Sequence, residues 1–195
     1  GANRRNFYAD CLANKLDTDE FWQSRMPDHS KIKTPMLSTA NWGGQGLHPR
    51  GNFEGFVRSA SNHKWLEVHG IEHWTHFYTD YGIDLQKRFF GHFLKGEDTG
   101  WLQSQPKVQL QIRYPGEVFV ERHENEWPLA RTDWTKYYIH PDTMTISTEE
   151  QVTESSAEYE GLSDGLTFLS DPLETDLEIT GPIASKLWVS SETND

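Results

Sequence analysis

The sequence predicts an α/β region followed by an all-β one. Two observations carry this. Residues 35–69 read in the order strand, glycine-rich loop, amphipathic helix, strand, which is a βαβ unit of about the expected ~30 residues. From Lys107 onward the apolar pattern changes to period two, as half-buried antiparallel strands require. A run of short strands after an α/β region predicts a separate β-sandwich or jelly roll, with the change of fold in the polar stretch 97–105.

The elements follow in order. Phe7, Tyr8, Cys11 and Leu12 recur at helical spacing, and Asp17 or Thr18 caps a second short helix carrying Phe21 and Trp22, closed by Pro27. After a polar connector, residues 35–39 (PMLST) form a short buried strand that runs into Ala40-Asn41-Trp42-Gly43-Gly44-Gln45-Gly46, a tight loop. Phe53, Phe56, Val57 and Ala60 then keep the i, i+3, i+4, i+7 pattern of a helix docked on a sheet. Trp65, Leu66 and Val68 mark the next strand, which Gly70 breaks. A second helix carries Leu85, Phe89, Phe90, Phe93 and Leu94 and ends at Lys95-Gly96. Beyond it, strands are expected around Val108 to Ile112, Val118 to Val120, Tyr137 to Ile139, Met144 to Ile146 and residues 185–190, punctuated by Pro115-Gly116, Pro141-Asp142 and Gly181-Pro182.

Composition bounds the function. With 195 residues, eight Trp, ten Phe and seven Tyr, the chain has material for one large or two small cores. A formal charge of −12 argues against non-specific binding to nucleic acid or to anionic membranes, which reward clustered Lys and Arg. Cys11 is the only cysteine, so an intrachain disulfide and a cysteine-based zinc site are both excluded. No apolar run approaches the ~20 residues of a membrane span, and the first residues lack an apolar signal core, so a cytoplasmic protein is expected.

The chemistry centres on KWLEVHGIEHWTHFY, residues 64–78. A strand that stops at a glycine and delivers histidines into the next loop is how an open α/β sheet presents a general base, because ligands bind beyond the carboxyl ends of such strands. His73 and His76 are the candidates. Other readings stand beside this one. The histidines can simply fill an aromatic cluster with Trp74, Phe77 and Tyr78. His69, His73 and His76 can be read as metal ligands, although their i, i+4 spacing needs a helix where Gly70 argues against one. The β region, with Trp127, Trp134 and Trp188, can be read as a non-catalytic module that holds a carbohydrate or a partner.

The segments TPMLSTANWGG, EVHGIEHWTH, LQKRFFGHFLKGED, VQLQIR, FVERHENEWPLARTDWTKYYI and LEITGPIASKLWVSS, in this order, resemble the cocaine esterase and X-prolyl dipeptidyl-peptidase (CocE/NonD) family of serine hydrolases. The resemblance implies the end of a helical cap and the C-terminal half of an α/β-hydrolase domain over residues 1–100, then an incomplete jelly-roll β-sandwich over 101–195. It implies cleavage of small acyl esters or peptides by a Ser, Asp, His triad without a cofactor or metal.

In that fold the serine precedes the acid and the histidine, in a G-x-S-x-G elbow, so the nucleophile is expected upstream of this chain. The one match here, Gly161-Leu162-Ser163-Asp164-Gly165, follows the histidines, and Ser163 reads as a turn residue. The expected partner is therefore the remainder of the hydrolase polypeptide or a complementing chain, with homo-oligomerisation possible.

Relatives usually carry G-x-W-x-H after the strand. His73 lies three residues beyond Gly70, whereas Trp74-Thr75-His76 keeps W-x-H with two residues inserted. His73 is favoured narrowly, His76 is second, and His69 is a strand residue. Where relatives commonly have G-W-x-D, this chain has Asn41-Trp42-Gly43-Gly44 and no acid. Glu72 is a weak local candidate for that role, and Gln45 could only orient by hydrogen bonding.

Overall fold

The computed structural model describes residues 4–44, 46–70, 72 and 74–193. The chain divides into two compact units, Gly1–Asn125 and Glu126–Asp195. Within the first, a four-stranded sheet has the order β1 (Met36–Asn41), β2 (Lys64–His69), β3 (Val108–Tyr114), β4 (Val118–Glu124). β1 and β2 pair in parallel from Met36↔Lys64 to Asn41↔His69, and β3 continues the parallel run with Glu67 opposite Gln109. β4 returns antiparallel through a turn in which Gly116 and Glu117 both have positive φ, 80° and 60°. The period-two pattern of β3 and β4 led the sequence reading to place them in the second fold. Their register ties them to β2, because alternation reports a half-covered strand and not the sheet it joins.

The helices follow the local chemistry. Asn6 accepts the Ala9 N–H at the start of α1 (Phe7–Ala13), while Asp19 is the residue before α2 (Glu20–Gln23), two or one later than expected. α3 (Pro49–Arg58) opens on proline, packs on β1 and β2, and buries Phe56. α4 (Asp80–Lys95) is the best-specified element. Thr79 Oγ1 accepts the Gly82 N–H at 3.2 Å, Asp80 lies in the positive first turn, His92 and Lys95 lie in the negative last turn, and Gly96 closes it with φ 70°. α5 (Trp101–Ser104) is one turn that buries Trp101.

β2 is buried from Trp65 through His69, as a central strand covered on both faces. Period two places Trp65, Glu67 and His69 on one face. At Trp65 that face meets Leu85 and Phe89 of α4 and Trp101 of α5, with Leu37, Tyr81 and Phe93 around them. Trp65 and Trp101 meet edge to face at 5.5 Å, and burying Leu85 and Phe89 contributes roughly 1.5–3 kcal/mol each. Toward its C-terminal end the same face exchanges this aromatic core for a carboxylate and an imidazole.

The second unit is more open. Among its described residues, β5 (Tyr138–His140) and β6 (Thr145–Ser147) form an antiparallel ribbon, and Thr145 bridges to Leu169. Trp127 and Leu129 are buried, around a cis Trp127–Pro128 bond. Residues 185–190, expected as a strand, have no regular structure, and Leu187, Trp188 and Val189 are exposed.

Candidate functional site

His69 is the last residue of β2, and Gly70 turns the chain away. A Cβ on Gly70 would lie 2.4 Å from a ring carbon of Phe119, so any larger residue here must displace that ring. The Gly70 N–H donates to Gln111 Oε1 at 2.7 Å, which ties the loop to β3. After Gly70, His76–Tyr78 form a short 3-10 turn against the start of α4. A Cβ on Gly82 would lie 2.3 Å from the His76 carbonyl oxygen and 2.8 Å from that of Phe77, so glycine is what allows the turn to sit there.

This arrangement lays the His76 ring on the His69 ring, with centroids 4.5 Å apart and planes 13° from parallel. His69 Nδ1 hydrogen-bonds Glu67 Oε2 at 3.0 Å, and both side chains are buried. The Tyr81 hydroxyl donates to Glu67 Oε1 at 3.4 Å and accepts from Gln109 Nε2 at 2.8 Å. Gln109 Nε2 also reaches Glu121 Oε2 at 2.8 Å, and Gln105 Nε2 donates to Gln109 Oε1 at 2.9 Å. Nε2 of His69 and Nε2 of His76 are buried without a hydrogen-bond partner among the described residues.

Burial, and then the neighbouring His69, hold His76 below the ordinary histidine pKa of 6.5, against a smaller opposite pull from Glu67. Its ring is therefore neutral at pH 7, as a proton acceptor must be. Burial pushes the Tyr81 hydroxyl well above its usual value, with Glu67 and Glu121 adding to the shift. It stays protonated and acts as a donor.

The donor atoms of Glu67, His69 and His76 all lie within 4.8 Å of one another. An imidazole holds an ion in its ring plane, however, and two nearly parallel rings stacked at 4.5 Å have no shared plane for one. The metal reading of the sequence thus changes membership, with Glu67 joining, and the set is an acid–histidine–histidine stack instead of a coordination shell.

The other expected residues are placed as follows. His73 and Gln45 lie outside the described residues. Glu72 accepts from the Thr75 hydroxyl and lines a cavity of about 280 Å³ with Asn41, Trp42, Gly43 and the Arg113–Glu117 ion pair, at the C-terminal end of β1. Ser163 sits in an exposed turn, its N–H donating to the Glu160 carbonyl at 3.1 Å. Trp127 is buried, contrary to the binding-module reading, while Trp134 and Trp188 are exposed. Glu67, Tyr81 and Gln109 were not singled out from the sequence, and His69 only as a possible metal ligand. The available signal was Glu67 as an acidic residue inside an otherwise buried strand.

Residues 99–195 match the family model described as the X-Pro dipeptidyl-peptidase C-terminal non-catalytic domain. Cocaine esterase from Rhodococcus sp. (strain MB1 Bresler) is 24% identical over 250 residues, covering 95% of this chain and 41% of that protein. Two crystal structures of a CocE/NonD family hydrolase from Staphylococcus aureus are 34% identical and cover 74% and 75% of this chain, with TM-scores of 0.67 and 0.68. In sequence and in fold the chain is similar to CocE/NonD family hydrolases. It spans 41% of the cocaine esterase and 26% of the staphylococcal hydrolase chains. Glu67, His69 and His76 all precede the segment matched to the non-catalytic domain.

Proposed function

We propose that this chain is part of a serine hydrolase that cleaves ester or amide bonds of small acyl or X-prolyl dipeptidyl substrates. It supplies the general base from the loop after β2, as His73 or His76, to a nucleophilic serine on the remainder of the polypeptide. The unit from Glu126 on belongs to a jelly-roll β-sandwich. The observation that carries the reading is a histidine loop at the C-terminal end of a parallel strand, where α/β sheets bind ligands, in a chain similar to CocE/NonD family hydrolases. What supports His76 is that it is half-buried, held neutral, and stacked on a histidine hydrogen-bonded to a buried carboxylate.

The test uses the full-length hydrolase and a chromogenic acyl ester. His76→Ala is expected to lower kcat by about 10²-fold or more with the fold intact by circular dichroism. Loss of kcat in His73→Ala alone moves the base to His73. Near-normal kcat in both variants overturns the reading.

A further inference from the structure

Glu67 is 2% exposed, and a carboxylate removed from water is costly unless cations or donors replace its hydration. Buried carboxylates are ordinarily matched by Arg or Lys. Among the described residues, the only ion-pair partner of Glu67 is a histidine, His69, and the second charge-capable group close by is another histidine, His76. Neutral donors supply the rest, from the Tyr81 hydroxyl and the His69 ring. The countercharge of Glu67 is therefore conditional: it exists in full only while one of the imidazoles carries a second proton.

That is the electrostatic requirement of a hydrolase base. The base accepts the hydroxyl proton of the nucleophile as that oxygen bonds to the acyl carbon. It passes the proton to the departing alcohol or amine, and in between it is an imidazolium that a fixed negative charge stabilises.

The segment after β1 cannot provide that charge. It reads Asn41-Trp42-Gly43-Gly44 and carries no acid side chain.

We propose that Glu67 is the carboxylate of this site, a positioning residue that acts on the loop base through its charge and through His69. The inference rests on the hydrolase reading above for its role in turnover, but its electrostatic content does not need it. By accepting from Nδ1–H, Glu67 holds the proton of neutral His69 on that nitrogen and fixes the ring on which His76 lies. Tyr81, from α4, holds Glu67 in turn, and Gln109, from β3, donates to the Tyr81 hydroxyl. Among the described residues, the charged and titratable groups around Glu67 are His69 on β2, His76 and Tyr81 beside it, and Glu121 on β4, which is hydrogen-bonded by Gln109 and pairs with His123 at 2.7 Å.

Two experiments test this. In the 195-residue chain, histidine-selective NMR titration follows the His76 ring. Glu67→Gln is expected to lower its pKa further, and Tyr81→Phe, which removes a donor from the carboxylate and leaves its field less compensated, to raise it. An unchanged His76 titration in both variants overturns the proposal, and Tyr81→Phe keeps it decidable if Glu67→Gln does not fold.

In the full-length hydrolase, Glu67→Gln is expected to lower kcat more than about tenfold with little change in KM, with Glu67→Asp recovering part of the loss. If His76→Ala or His73→Ala abolishes turnover while Glu67→Gln keeps kcat and its pH profile, this inference fails and the hydrolase reading survives. If neither histidine matters, the hydrolase reading fails and the titration alone decides whether Glu67 governs the histidine pair.

Discussion

His76 has a consequence for stability that is separate from turnover. Its folded pKa lies below 6.5, so above that pH both folded and unfolded chains hold it neutral. As the pH falls through that value the unfolded chain takes the proton first, and the folded state loses stability down to the folded pKa, where the loss levels off. Urea unfolding of the wild-type chain is therefore expected to show a fall in stability as the pH drops through 6.5 that His76→Gln reduces, since glutamine does not titrate. An identical fall in the two chains would mean that the burial of His76 carries no such cost. Tyr81 belongs to the same scale. Its hydroxyl stays protonated far above the working pH, so its contribution is that of a permanent donor to Glu67.

At the scale of elements, the site is the meeting of one strand face with one helix start. β2 presents Trp65, Glu67 and His69 on a single face, and α4 begins under the His76–Tyr78 turn. The contact is close because Gly82, in the first turn of α4, has no side chain to push against two carbonyl oxygens. Gly82→Ala therefore meets backbone, which cannot swing aside as a flexible side chain could. We expect it to cost about 1–3 kcal/mol in urea unfolding, as overpacking does, and to shift the His76 ring resonances by displacing the turn. If the variant unfolds like wild type with unmoved His76 signals, the turn is not held by that contact. Gly96 makes a useful control of another kind, because its φ of 70° asks for glycine on backbone grounds while its Cβ would meet open space.

For the whole molecule, the division at Asn125/Glu126 falls after β4 and not at the change of sequence pattern near residue 100. The family match begins at residue 99, so the matched segment includes strands that complete the sheet of the first unit. A chain of residues 1–125 carries all four strands, α4 and the Trp65–Trp101 core. It is expected to unfold cooperatively with the near-UV circular dichroism of packed tryptophans, whereas residues 1–100 lack β3, β4 and Trp101 and lose that signal. A shorter chain that kept a cooperative transition would show that β3 and β4 are dispensable to the first unit. Within this sheet, β1 and β4 are the edges, and an edge strand offers unpaired N–H and C=O groups to whatever chain lies beside it.

The sequence by itself determined the local elements. β2 occupies the residues that the apolar run and Gly70 delimit, and α4 ends at the Lys95-Gly96 signal. These are matters of period, capping and turn chemistry, which act over a few residues and leave their trace in order along the chain. Tertiary structure alone decided which sheet β3 and β4 join, since an alternating strand looks the same in either unit. It also decided that Glu67, His69, His76, Tyr81 and Gln109 form one network. Gln109 faces Glu67 only because β3 pairs with β2 in that register, and His76 reaches His69 only because the loop folds back under α4. Contacts between residues far apart in sequence are set by packing, and packing leaves no spacing to read.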